Sequence, residues 1–193
     1  MTTSVTPVLT LGRVGTEDDA TDSTSPAAPR IPSEDAVIAA SVRGVRGSVV
    51  RLPASVHGDG DRAFVPALVA IARDTGVSAY IGDGTHRWPA VHRLDAARLF
   101  RLALEAGAPA SRYHGVGDEG VRTRDIAEVI GRRLGVPVAS VSSQEAAAHF
   151  GWIAKFFAMD NPTSSALTRA RLGWEPTHPG LLADLDRPEY FAR

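Results

Sequence analysis

Cysteine is absent from this sequence of 193 residues, and lysine occurs once, at Lys155. Without cysteine, the chain has no disulfide bond, no thiolate nucleophile and no zinc site of the cysteine type. No apolar run approaches the length needed to span a membrane, and the N-terminus does not have the basic and then apolar pattern of a signal peptide. The sequence therefore predicts a cytoplasmic chain with no membrane partner.

Acidic and basic side chains nearly cancel, since 21 Lys and Arg face 22 Asp and Glu, for a formal net charge of −1. Proteins that bind nucleic acid through its phosphates carry an excess of positive charge. The sequence therefore predicts no nucleic-acid partner. Hydrophobic residues make up 44% and charged residues 22%, which is typical of a globular domain, and the length suits one domain or part of a larger one.

Strand-like and helical segments alternate along most of the chain. The β-branched run Ser48–Leu52, bounded by glycine and proline, predicts a buried parallel strand. Further strands are predicted at 77–81, 113–116 and 136–141, and helices at 33–42, 63–74, 95–105, 123–134 and 167–172. Ser142 and Glu145 have the spacing of a capping box, which predicts another helix start. This alternation indicates an α/β fold.

Residues 1–32 differ from the rest, because they are rich in Thr, Ser, Pro, Ala and Asp. Such a composition predicts a mostly irregular or disordered segment, in which only residues 8–11 could form a short strand. Residues 33–193 are then expected to form the folded part of the chain.

A glycine pattern at Gly115, Gly117 and Gly120 has the spacing of a dinucleotide-binding loop. Asp118 and Glu119, however, occupy the place where two phosphates would lie. Each like-charge contact at about 4 Å would cost roughly 1–4 kcal/mol. The pattern is therefore interpreted as a surface turn before a helix.

Two other segments carry candidate functional groups. His57 alternates with Asp59 and Asp61 in a glycine-rich turn, but this spacing matches no known metal-site geometry, so no metal is predicted. The loop follows a predicted parallel strand, where open α/β sheets place their ligands. Arg87 could hold a phosphate or carboxylate of a substrate through its planar guanidinium, or it could form a surface ion pair. Asp95 is expected to cap the helix that follows.

Four motifs occur in the order found in the C-terminal half of the extended short-chain dehydrogenase/reductases, the NAD-dependent epimerase/dehydratase family. They lie at 51–60, 82–97, 113–135 and 172–176, the last reading Leu-Gly-Trp-x-Pro. The chain resembles this family over residues 48–186. The resemblance implies a partial Rossmann-like parallel sheet of late strands with a C-terminal substrate-binding region, while the N-terminal dinucleotide-binding half is absent.

The family's reaction depends on a serine and on a Tyr-x-x-x-Lys pair, which this sequence lacks. On the register set by the resemblance, Thr10 stands at the serine position, and the pair falls on Arg30 and Glu34, or three residues earlier on Ala27 and Ile31. The resemblance implies NAD or NADP as the cofactor, but we expect this chain to bind either one weakly or not at all. We therefore expect a chain from an oxidoreductase family that acts on a sugar-like or carbonyl substrate. By itself, this chain is expected to be inactive.

The resemblance also implies where ligands would lie. The backbone of Pro53, Ala54, Ser55 and Val56 would lie near the nicotinamide.

The substrate side would be formed by His57, Arg87 and His92, so the expected partner is a small-molecule substrate. The alternative is a non-catalytic binding or interaction module derived from the same fold. Either reading allows for a homo-oligomer.

Overall fold

The computed structural model describes residues 1–192, in which short strands and helices alternate. The strands are β1 (Thr2–Val5), β2 (Ser48–Leu52), β3 (Ser55–His57), β4 (Ser78–Ile81), β5 (Arg87–His92), β6 (Ser111–His114), β7 (Asp118–Arg122) and β8 (Val138–Val141). The helices are α1 (Ile31–Ala40), α2 (Phe64–Thr75), α3 (Arg93–Ala106), α4 (Thr123–Leu134), α5 (Ala146–Phe150), α6 (Ala154–Phe157), α7 (Ala166–Leu172) and α8 (Leu181–Leu185). Among these residues, no helix combines the length and apolar character that crossing a membrane requires.

A parallel three-stranded sheet with the order β1-β2-β6 forms the Rossmann-like part of this α/β fold. Side chains of β2 alternate between its two faces. Val50 packs with Leu99 of α3 on one face, while Arg51 binds Glu34 of α1 on the other. Helices thus cover both faces, and for this reason β2 is buried over most of its length.

A second sheet has the order β3-β5-β7 and carries the region with the candidate ligand-binding residues. Strands β3 and β5 are parallel, with His57 paired to His92, while β7 is antiparallel to β5. The strands β4 and β8 form a separate parallel pair. The larger core cluster packs α2 and α4 against β4 and β5, with Trp88 and Phe157 fully buried at its centre.

The predicted strand at 48–52 is confirmed residue for residue, and helix α7 is confirmed to within one residue. Three other predictions are wrong in detail. The N-terminal strand lies at Thr2–Val5 rather than at 8–11. Residues 115–120 do not form a surface turn leading to a helix, because β7 begins at Asp118 and pairs with β5. Asp95 lies in the first turn of α3, whose N-cap is His92.

The irregular segment between β1 and α1 packs against residues 159–168. The amide of Gly12 donates to the carbonyl of Asp160 at 2.7 Å, and that of Gly15 donates to Pro162 at 2.9 Å. The side chains of Val8 and Leu9 are fully buried. Irregular backbone here is compatible with close packing, because other parts of the chain satisfy its polar groups.

Candidate functional site

The strands β3 and β5 each end in a histidine, and parallel pairing places the two histidines side by side. His57 and His92 are direct register partners, with ring centroids 5.5 Å apart in an edge-to-face arrangement. Both side chains are buried. The site therefore lies at the carboxyl ends of neighbouring parallel strands, where open α/β sheets place ligands.

His57 is held from one side by a carboxylate and a phenol from the C-terminal segment. Its Nδ1 lies 2.9 Å from Oδ2 of Asp184, and both side chains are completely buried. The hydroxyl of Tyr190 donates to the same Oδ2 at 3.0 Å. Burial raises the pKa of Asp184, but hydrogen bonds from His57, Tyr190 and Arg187 outweigh it, so the net pKa is lowered. Asp184 is therefore a stable anion that orients the ring.

His92 lies between His57 and a third histidine, His178. The rings of His92 and His178 are stacked, with centroids 4.6 Å apart and an interplanar angle of 5°. Nδ1 of His178 lies 3.0 Å from Oδ1 of Asp95, whose carboxylate also accepts from the amides of Thr177 and His178. Asp95 thus fastens the 176–180 loop to the first turn of α3.

The three rings face a cavity of about 120 Å³ that opens past the exposed 177–179 loop. This space, called the histidine cavity below, is lined by His57, His92, Asp95, Gly117, Asp118, Pro176, His178, Pro179 and Gly180. Burial, followed by the charge of His57, lowers the pKa of His92. The cavity therefore presents a neutral imidazole beside the fixed Asp184–His57 pair.

Gly58 makes room for the tip of His92. Its φ of +129° lies in the range that favours glycine, and a Cβ added there would lie 3.0 Å from Nε2 of His92. The amide of Gly58 also donates a hydrogen bond to the hydroxyl oxygen of Tyr190 at 2.9 Å. The turn after β3 is thus shaped around the histidines.

Arg87, the predicted substrate clamp, lies at the start of β5 and is already paired. Its Nε and Nη2 donate to the two carboxylate oxygens of Asp160 at 2.9 and 2.7 Å, and its amide donates to the same group at 2.8 Å. Both side chains are partly exposed. A substrate anion would have to compete with this bidentate pair.

The four residues proposed to lie near a nicotinamide, Pro53, Ala54, Ser55 and Val56, connect β2 to β3 and include the start of β3. Ser55 is 2% exposed, and its hydroxyl oxygen has no hydrogen-bond partner among residues 1–192. Pro53 is also buried, whereas Ala54 and Val56 are half-buried. This segment therefore follows the carboxyl end of β2 directly and adjoins His57.

On the first register of the resemblance, the predicted catalytic positions are Thr10, Arg30 and Glu34, and these lie in different surroundings. Thr10 and Arg30 are exposed, and Glu34 is fully buried on α1. The carboxylate of Glu34 accepts from Nη2 of Arg51 at 2.8 Å and from Nε of Arg112 at 3.2 Å. Burial raises the pKa of Glu34, but these guanidinium groups outweigh it and lower the pKa. Glu34 therefore belongs to an internal ion pair.

The Arg51–Glu34 pair is part of a larger group of buried side chains, called the buried ion cluster below. Its members are Glu17, Glu34, Arg51 and His114. Nη1 of Arg51 lies 3.4 Å from Nε2 of His114, and Nδ1 of His114 lies 2.8 Å from the carbonyl oxygen of Ser164. Burial is the main reason that the pKa of His114 is lowered to about 4. The cluster thus joins α1, β2, β6 and the N-terminal segment.

A resident metal would require three or more histidine or acidic ligands in a suitable arrangement. No such group occurs among residues 1–192.

The sequence analysis named His57 and His92 but did not find Asp184, His178 or Tyr190 as members of the site. Asp184 and Tyr190 are 127 and 133 positions away from His57 in the chain. The only signal in the sequence was the carboxylate and phenol near the C-terminus, without any spacing that links them to β3.

No family model matches the chain. An uncharacterized protein of Schizosaccharomyces pombe is 52% identical over 192 residues, which make up 99% of this chain and 64% of that protein. The chain thus spans somewhat less than two thirds of the length of this curated relative.

Solved structures with a similar fold include a dehydratase and an epimerase. A dTDP-glucose 4,6-dehydratase of Streptomyces venezuelae, solved with NAD bound, matches with a TM-score of 0.74 and 19% identity over 98% of this chain and 58% of its own. A UDP-glucose 4-epimerase of Thermotoga maritima, solved with UDP-glucose, matches with a TM-score of 0.71 and 19% identity over 98% of this chain and 62% of its own. The chain therefore has the fold of a large part of these enzymes.

Proposed function

We propose that the chain is part of an NAD(P)-dependent oxidoreductase of the epimerase/dehydratase family, acting on a sugar-like or carbonyl substrate. The likeness of 98% of the chain to a dehydratase solved with NAD carries this proposal. The four sequence motifs support it independently, because they lie on β2–β3, β5–α3, β6–α4 and directly after α7, in the family's order.

In this proposal the chain supplies the late strands of the sheet and the substrate side of the site. Residues 53–56 would lie near the nicotinamide, and the histidine cavity next to them would receive part of the substrate. The position of both at the carboxyl ends of parallel strands supports this arrangement.

We further propose that these residues alone do not catalyse hydride transfer. On one register of the resemblance, Arg30 and Glu34 stand where the family has tyrosine and lysine, and on the other Ala27 and Ile31 do, so neither register has the pair. Glu34 is held in a buried ion pair. Proton transfer by such a pair contributes roughly 10²–10⁴-fold to a rate. The residues of α1 offer no substitute for the tyrosine–lysine pair in this proton transfer.

Titration of the purified chain with NADH and NADPH by isothermal calorimetry tests this proposal. We expect no binding in the micromolar range, because the chain has no glycine-rich phosphate loop of the family type. Micromolar affinity for either coenzyme would contradict the proposed inactivity. Turnover of a sugar with a pyridine nucleotide would contradict it more strongly.

One observation favours the second candidate, a non-catalytic interaction module of the same fold. Strand β1 lies at the edge of its sheet, and within residues 1–192 only β2 pairs with it. Exposed strand edges are places where another chain can add a strand. Size-exclusion chromatography with light scattering tests this alternative, which predicts self-association or binding of a partner. A monomer that unfolds in one sharp cooperative transition would contradict the alternative.

A further inference from the structure

Residues 187–191, called the C-terminal strap below, follow helix α8 and contact the turn after β3. Helix α8 is anchored, since Leu181 and Leu185 are buried in the larger core. In the strap, the amides of Tyr190 and Phe191 donate at 3.4 and 2.9 Å to carbonyl oxygens of the same short segment. Side chains therefore make the connection between the strap and the turn after β3.

The hydroxyl of Tyr190 is the contact that reaches buried groups. It accepts from the amide of Gly58 at 2.9 Å and donates to Oδ2 of Asp184 at 3.0 Å. The same carboxylate lies 2.9 Å from Nδ1 of His57, and both of these side chains are completely buried. One phenol thus connects the strap to the turn after β3 and to the Asp184–His57 pair.

Arg187 makes a second connection, nearer the surface. Its Nη2 lies 2.9 Å from the carboxylate of Asp59 on the same turn, and its Nη1 donates to Asp184 at 3.0 Å. The side chain of Arg187 is 37% exposed and that of Asp59 is 65% exposed, so solvent screens their attraction. Hydrogen bonds to a buried carboxylate are stronger than such exposed pairs. Tyr190 is therefore expected to hold the strap more firmly than the Arg187–Asp59 pair does.

A cavity of about 50 Å³ lies between the strap and the turn after β3. This space, called the strap cavity below, is lined by Gly58, Asp59, Gly60, Asp61, Pro66, Glu189 and Tyr190. Elements that pack closely leave little space of this size between them. The strap thus bridges the turn through a few polar contacts instead of packing on it along its whole length.

Consecutive residues line the two cavities at the end of β3. His57 lines the histidine cavity, and Gly58 lines the strap cavity. The turn after β3 therefore lies between the two cavities, and the strap covers the turn on one side.

We propose that the C-terminal strap opens and closes over the turn after β3 as one unit, while the sheets and α8 stay folded, and that the hydroxyl of Tyr190 holds the closed form. In the open form, water replaces this hydroxyl at the amide of Gly58 and at Asp184. Local openings of this kind are typical of terminal segments with few buried contacts. The strap is thus a conformational device that controls access to the end of β3.

This inference goes beyond the proposed function, because it concerns a motion of the chain and requires neither coenzyme nor substrate. Its test contains no ligand. Absence of strap opening and unexpected coenzyme binding are therefore separate results.

Native-state amide hydrogen exchange, followed by NMR at several low urea concentrations, tests the proposal. The amide of Gly58 is the reporter, because its acceptor belongs to the strap. After correction for intrinsic rates, we expect Gly58 to exchange at least about tenfold faster than Val50, a fully buried residue of the central strand β2, and to do so independently of urea. Exchange of Val50 should accelerate with urea, because it requires global unfolding.

Two variants and a control separate the strap from global stability. Tyr190→Phe removes the hydroxyl and should accelerate exchange of Gly58 more than about tenfold, because hydrogen bonds to charged groups are strong. Arg187→Gln removes ion pairs of the strap but not the hydrogen bond of Gly58, and should accelerate the same exchange roughly two- to fivefold. Tyr80→Phe is the matched control, since Tyr80 lies on β4 and contacts Arg124, and it should leave this exchange unchanged.

The proposal is overturned if Gly58 and Val50 exchange with the same urea dependence, because the strap would then open only when the whole protein unfolds. It is also overturned if Arg187→Gln or Tyr190→Phe leaves exchange of Gly58 unchanged, because the turn would then open without the strap. The exchange of Val50, measured in each variant, separates a loosened strap from a general loss of stability.

Discussion

Buried histidines occur in two very different surroundings in this protein. In the buried ion cluster, both nitrogens of His114 have partners, namely Arg51 and the carbonyl of Ser164. His57 is equally buried, but among residues 1–192 its Nδ1 has a partner and its Nε2 has none. A buried polar atom without a partner is costly, so the two histidines differ in how well their surroundings satisfy them.

The comparison also separates two uses of carboxylates. Glu34 neutralises guanidinium groups and links α1 to the sheet, so its role is structural. Asp184 orients the imidazole of His57, which is one of the residues around the histidine cavity. The expected consequences of mutation differ accordingly.

The largest effect is expected from Arg51→Met. The substitution leaves the carboxylate of Glu34 buried, with Arg112 as its remaining guanidinium partner among residues 1–192. Breaking a buried pair from one side costs about 3–5 kcal/mol, and urea unfolding measures the loss. Arg124→Gln is the matched control, because its pair with Glu128 is exposed, and no measurable change is expected. Equal stability of the two variants would show that the cluster contributes little.

A smaller effect is expected in the pH dependence caused by His114. Its folded-state pKa is lowered to about 4, against about 6.5 in the unfolded chain, so only the unfolded state gains this proton as the pH falls between these values. The stabilising contribution is complete above pH ~6.5 and is lost as the pH approaches ~4, by about 3 kcal/mol at most. Urea unfolding at several pH values should show a flatter profile for His114→Gln. An unchanged slope would contradict the assignment.

The smallest effect on stability is expected from His178→Gln. The side chain of His178 is 37% exposed and its pair with Asp95 is screened by solvent, so the loss should stay below about 1 kcal/mol. Thermal unfolding measures it. A loss as large as that of Arg51→Met would make the histidine cavity a structural cluster like the other one, and would remove the contrast between the two regions.

Local patterns in the sequence were sufficient wherever a segment contained its own explanation. The strand Ser48–Leu52 was predicted correctly because a β-branched run lies between a glycine and a proline. The reciprocal bonds predicted between Ser142 and Glu145 are present, at 3.0 and 3.2 Å to the two amides, although helix α5 begins only at Ala146, after a turn. Such features depend on neighbours within one or two turns of chain.

Predictions failed where the partner was distant. Strand β7 has the sequence Asp-Glu-Gly-Val-Arg, which has no strand pattern, and it is extended because β5 pairs with it. The same applies to the site. His57 and His92 were named as substrate-side residues, yet that role stays a proposal, and the groups that orient His57 come from the C-terminal segment.

The amino-acid sequence by itself determined the alternation of strands and helices and the absence of a Tyr-x-x-x-Lys pair, because these are properties of composition and local spacing. Only the tertiary structure decided that Glu34 is neutralised inside the protein, that His57 and His92 end two paired strands, and that Nε2 of His57 has no partner among residues 1–192. These outcomes depend on which side chains meet across more than a dozen residues of chain, and hydrophobic packing of the sheets decides that.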